Sequence, residues 1–126
     1  MTLELYAAVA LGGFIGAPVR YVIDRAVSRR LESDLPWGTF LINVTGSLIL
    51  GFLTGLELHS QAGPLIMAMW ATGFCGALTT FSTFTFESIR LVETGRYWDA
   101  TLYVVGSLLV GLLGATLGLM VGLVVS

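Results

Sequence analysis

Four apolar runs, separated by short polar connections, dominate this sequence: residues of about 3–27, 37–56, 63–86 and 100–125. A helix needs about 20 residues to cross the hydrocarbon core of a bilayer. The pattern therefore predicts an all-α membrane protein, a single four-span domain over 1–126 with no room for a soluble one. With 56% hydrophobic and 11% charged residues, the chain also lacks the polar surface a water-soluble domain of 126 residues needs. Inside lipid every backbone polar group must find a partner within protein, so polar or helix-breaking residues within the runs are the informative ones.

Several classes of function are excluded early. All six basic residues are arginines and the net charge is −2, so no basic tract recommends nucleic acid. One cysteine, Cys75, and one histidine, His59, offer neither a zinc cluster nor a nucleophile and base. Cys75 reads as a small packing residue, and no enzymatic chemistry is expected. No arginine precedes Arg20, the wrong flank for a cleaved signal peptide, so the first run is expected to remain in the mature protein.

The third run holds the densest anomaly. Gly73 to Phe86, GFCGALTTFSTFTF, places the hydroxyls of Thr79, Thr80, Ser82, Thr83 and Thr85 among the phenylalanines Phe81, Phe84 and Phe86. Gly73 and Gly76 followed by adjacent threonines make a poor helix interior. A helix break near the bilayer centre is expected, and backbone left unpaired there needs burial, water or an ion. Polar residues recur elsewhere at helical spacing: Thr39, Asn43 and Ser47 stack on one face of the second span, Tyr103 and Ser107 on one face of the fourth. Gly12 with Gly16, Gly51 with Gly55, and Gly114, Gly118 and Gly122 are spacings that admit a close helix neighbour. Four thin spans enclose no aqueous path of their own, so those glycine faces suggest self-association, with packing inside the chain as the alternative.

Four spans put the first and third connections on one side of the membrane. Arg20 and Glu87 then lie near that surface and Thr39 and Tyr103 slightly deeper. Asn43, Phe81, Phe84 and Ser107 fall roughly 10 Å in at the helical rise of 1.5 Å per residue. No acid lies deep in the membrane, since Glu4, Glu57 and Glu87 all belong to span ends. The shared depth thus offers an amide, hydroxyls and the positive edges of rings, a set that suits a dehydrated anion better than a cation.

The segments GGFIGAPVRY, WGTFLINVTGS and above all GFCGALTTFSTFTFE resemble the Fluc (CrcB) family of small fluoride channels over essentially the whole chain. The resemblance implies an antiparallel, dual-topology homodimer in the cytoplasmic (inner) membrane, with two pathways that export fluoride passively and relieve its toxicity. By motif position it places Asn43, Phe81, Phe84, Thr39, Thr83, Tyr103 and Ser107 on the fluoride pathway, with Arg20 and Glu87 at the vestibule. It also implies a structural Na+ at the dimer centre, held by the backbone carbonyls of Gly76 and Thr79. Lipid and fluoride are then the partners beside the second copy, and no organic cofactor is expected. One feature runs against dual insertion: the arginines all flank the first and third connections, which the positive-inside rule reads as a single orientation. The alternatives are a small proton-coupled multidrug-type exporter, which needs a membrane-buried carboxylate absent here, and a non-conducting assembly subunit.

Overall fold

The computed structural model describes residues 2–126 and is helical throughout its length apart from short connections. Helix α1 covers Leu3–Arg30 and α2 covers Trp37–Leu58. Helix α3, residues 64–78, begins with an α-helical turn at Pro64–Ile66, continues as a π-helix over Met67–Cys75 and ends with a turn at Gly76–Leu78. Helix α4 is Ser82–Glu93 and α5 is Tyr97–Val125. Taking α3 and α4 as one span, four helical spans are long and apolar enough to cross a membrane.

Local chemistry accounts for the ends. The Thr2 hydroxyl accepts the Leu5 N–H at 3.3 Å, capping α1, and Arg29 and Arg30 complement the dipole at its other end. The charged residues after position 27 therefore stay helical. Gly95, at φ 79°, takes the left-handed conformation that turns α4 into α5.

Two helix pairs make up most of the packing: α1 against the π-helical part of α3, and α2 against α5. Glycine decides both. A Cβ on Gly12 would overlap the Met69 carbonyl oxygen, and one on Gly73 would lie 2.5 Å from that of Val9. Gly51 and Gly118 are equally tight against backbone across the second pair, and Gly55 and Gly122 extend the seam. These glycine faces are consumed inside the chain, which corrects their use as an argument for self-association: spacing reveals that a helix will be approached, not by which helix. Gly76 and Gly106 are open, with nothing within 4 Å of the position a Cβ would take. Ile42 and Leu78 are fully buried, and a second core of Leu91, Ala100 and Tyr103, joined by Phe84, Phe40 and Leu35, holds α4 against α5.

Side-chain bonds between the connections show which ends lie together. Arg96 pairs with Asp34 and also, at 2.7 Å through Nε, with Asp99, tying the α1–α2 connection to the start of α5. At the far end His59 Nδ1 lies 2.6 Å from the Ser126 hydroxyl.

Candidate anion site at the α3–α4 junction

The junction between α3 and α4 is three residues long, and Asn43 of α2 supports it. Thr79 is extended (φ −82°, ψ 159°), which turns the next peptide away from the helix axis. Asn43 Oδ1 accepts the Thr80 N–H at 2.9 Å, and Asn43 Nδ2 donates to the Thr80 carbonyl at 3.0 Å. One amide side chain thus satisfies both polar groups of a residue that has left helical geometry, as burial in a membrane demands. The Thr80 hydroxyl in turn accepts the Thr83 N–H at 3.2 Å in the manner of an N-cap and donates to the Thr83 hydroxyl at 3.2 Å. Gly46 lets this happen, since a side chain there would strike Thr79 Cγ2.

From the junction a row of rings leads toward the connections. Phe81 and Phe84 stand 6.0 Å apart between centroids, and Phe84 and Tyr103 5.2 Å. Phe84 is half-buried and Tyr103 buried, while Phe81 is 79% exposed and projects from the bundle. The Tyr103 hydroxyl donates to Glu87 Oε1 at 3.2 Å, and buried Thr39 lies against both. Glu87 lines an open cavity of about 610 Å³ with Asp24, Glu32, Asp34, Arg90 and Arg96. Arg20 is half-buried on α1 and is not among the residues lining that cavity, whose arginines are Arg90 and Arg96. Arg96 is held firmly in its charged form by hydrogen bonds to Asp34 and Asp99.

The hydroxyls divide into committed and free. Those of Ser47, Thr79 and Thr85 donate to backbone carbonyls one turn earlier, at 2.9 Å each. Ser107, one turn along α5 from Tyr103, has a buried Oγ with no hydrogen-bond partner. A buried hydroxyl without a partner costs about 1–3 kcal/mol, so Ser107 has a donor ready for a polar ligand. Thr83 is exposed, with its oxygen turned to Thr80. On the outer side of the junction, Asn43, Thr72, Gly76, Thr79, Thr80 and Phe81 border a groove of about 400 Å³ that opens to the surroundings of the bundle. Among the described residues no group of three His, Cys, Asp or Glu side chains is placed to hold a metal.

The family model described as CrcB-like protein, Camphor Resistance (CrcB), matches residues 7–119. This chain belongs to the CrcB family. Among its relatives is "Fluoride-specific ion channel FluC 1" of Streptomyces avermitilis, 48% identical over 110 residues, 87% of this chain and 89% of that one. "Fluoride-specific ion channel FluC 2" of Clostridium acetobutylicum is 42% identical over 113 residues, 90% and 93% of the two chains. "Fluoride-specific ion channel FluC" of Acidobacterium capsulatum is 44% identical over 118 residues, 93% and 94% of the two.

Two features of this CrcB chain escape sequence reasoning. Thr80 is the hub of the junction, bonded through N–H, carbonyl and hydroxyl, yet it reads as one hydroxyl among five. The pairing of Arg96 with Asp34 and Asp99 across the cavity mouth is equally hidden. The opposite charges of the two connections are the one signal that points to it.

Proposed function

We propose that this chain is a fluoride-specific ion channel of the cytoplasmic membrane, passing F− down its electrochemical gradient and so relieving fluoride toxicity. The names of its relatives support the ion. The observation in this chain that carries the reading is the row from the polar cavity at Glu87 through Tyr103, Phe84 and Phe81 to Asn43, with the unpartnered Ser107 hydroxyl beside it. F− gives up water reluctantly. Ring edges and neutral donors replace that water, while the absence of a deep fixed cation lets the ion leave. Phe81, Phe84, Asn43, Thr39, Thr83, Tyr103 and Ser107 form the pathway, with Glu87 and Arg20 toward the vestibule.

The working unit is an antiparallel homodimer with two pathways. Support comes from the groove at the junction, where polar groups and the exposed Phe81 ring face outward and need a protein neighbour rather than lipid. A second copy inverted about an axis in the membrane plane brings two such junctions together at mid-depth. The residues there also fit a Na+ ion. The Thr80 N–H is taken by Asn43 and the Thr83 N–H by the Thr80 hydroxyl, so the carbonyls of Gly76 and Thr79 lack the helical donors four residues on. Carbonyl oxygens are suitable ligands for a hard cation. Those of Gly76 and Thr79 would hold it, and its charge would bind the two junctions to each other. The exporter and assembly-subunit alternatives draw no support from the relatives.

Reconstitution into liposomes tests the function. Rapid fluoride efflux under a potassium diffusion potential, with negligible chloride efflux from the same vesicles, is expected. Equal release of both anions, or of neither, would refute it.

A further inference from the structure

The C-terminal half of α1 carries a feature the channel does not use. From Phe14 to Arg30 two adjacent rows of α1 face outward: Phe14, Pro18, Val22, Ala26 and Arg30 in one, Tyr21, Arg25 and Arg29 in the other. Phe14 is 78% exposed, Tyr21 63% and Val22 62%, so the first part of this face belongs in hydrocarbon. Four to eight residues further on, about 6–12 Å along the axis, the same face is basic. The opposite face is acidic and belongs to the cavity: Asp24 lies against Gly38 and lines the cavity with Ser28, and none of Arg25, Arg29 and Arg30 does so. Charge on this helix is therefore sorted by side. The three arginines are exposed, and among the described residues none has an ion-pair partner, the Arg25 guanidinium lying instead 5.8 Å above the Tyr21 ring. The exposed Tyr97 and Trp98 at the same end mark the level of the lipid headgroups.

We infer that Arg25, Arg29 and Arg30, with Tyr21 beneath them, form a binding site for the headgroup of an anionic glycerophospholipid. Guanidinium groups match phosphate oxygens in a paired, planar geometry, and three of them on one face give net charge that a zwitterionic headgroup does not neutralise. The acyl chains lie along Val22, Pro18 and Phe14, continuous with the basic patch. The site stands independently of ion conduction, since it requires only that α1 cross a bilayer.

Spin-labelled lipids in vesicles of the full-length protein test it. Labelled phosphatidylglycerol should show a larger motionally restricted fraction than labelled phosphatidylcholine. Each arginine should be worth about fivefold in relative affinity, so the triple variant R25Q/R29Q/R30Q should lose on the order of a hundredfold and show no preference. Replacing the same three with lysine should preserve most of it. R96Q, which removes a charge at the same end but from the cavity side, should preserve it fully. Where the triple variant does not fold, R29Q and R30Q singly should each give the fivefold loss, as both lie on the exposed last turn. A preference that survives in R25Q/R29Q/R30Q, that is undiminished in both single variants, that vanishes equally in R96Q, or that is absent from the parent protein overturns the site.

Discussion

Replacing Asn43 with aspartate is nearly isosteric and removes one of two hydrogen bonds. A carboxylate still accepts the Thr80 N–H, now held at 2.9 Å, but it has no proton for the Thr80 carbonyl, which sits 3.0 Å from Nδ2. Losing that bond costs about 1 kcal/mol, and leaving the carbonyl unsatisfied adds about 1–3 kcal/mol. The ordered junction thus loses about 2–4 kcal/mol of support. At 1.36 kcal/mol per factor of ten, the ratio of ordered to disordered junctions falls between about thirtyfold and about a thousandfold. Because the cost is local, the helix seams of α1 with α3 and α2 with α5 are untouched. N43D should elute as the parent does on size exclusion in detergent, while its fluoride efflux from liposomes falls at least tenfold. Efflux within a factor of two of the parent would show that the Asn43 clamp is dispensable and would refute the reasoning.

Gly118→Leu should prevent α2 and α5 from meeting, because even a Cβ there overlaps the Leu48 carbonyl oxygen, whereas Gly106→Ala, with open space around it, should be tolerated. Yield and thermal stability in detergent distinguish the two. F81I and F84I should each reduce fluoride efflux by about tenfold or more, since a ring edge in the proposed anion path has no aliphatic equivalent. F84I should also lower thermal stability, because it loses contacts with Phe81 and Tyr103 inside the chain. Single cysteines introduced near the α1–α2 connection should react with a membrane-impermeant reagent from both sides of the membrane in equal proportion; reaction from one side only would exclude the antiparallel dimer.

The four spans are legible because apolar runs of bilayer length have few other uses in a chain this short. Their ends are less so. Helix α1 continues to Arg30 because its charged residues sort to two faces, Asp24 to the cavity and Arg25 to the outside, a division that composition does not display. The π-helix over Met67–Cys75 is invisible in sequence, as its register depends on the close approach of α1, where Gly12 meets the backbone of Met69 and Phe74. Asn43 illustrates the main limit at the site. Helical spacing gives its depth and its face, but not that its amide would be bonded to both sides of the Thr80 peptide. Ser107 shows the converse: its depth is readable, while its lack of a partner is a fact of packing alone.

Selective passage of a dehydrated anion is most directly tested by recording current across a planar bilayer containing the purified protein, with a fluoride gradient and an opposing chloride gradient. The proposed channel reverses its current at the fluoride equilibrium potential and stays there as chloride is varied. A reversal potential that follows chloride, or the absence of any current in protein-containing bilayers, would contradict it.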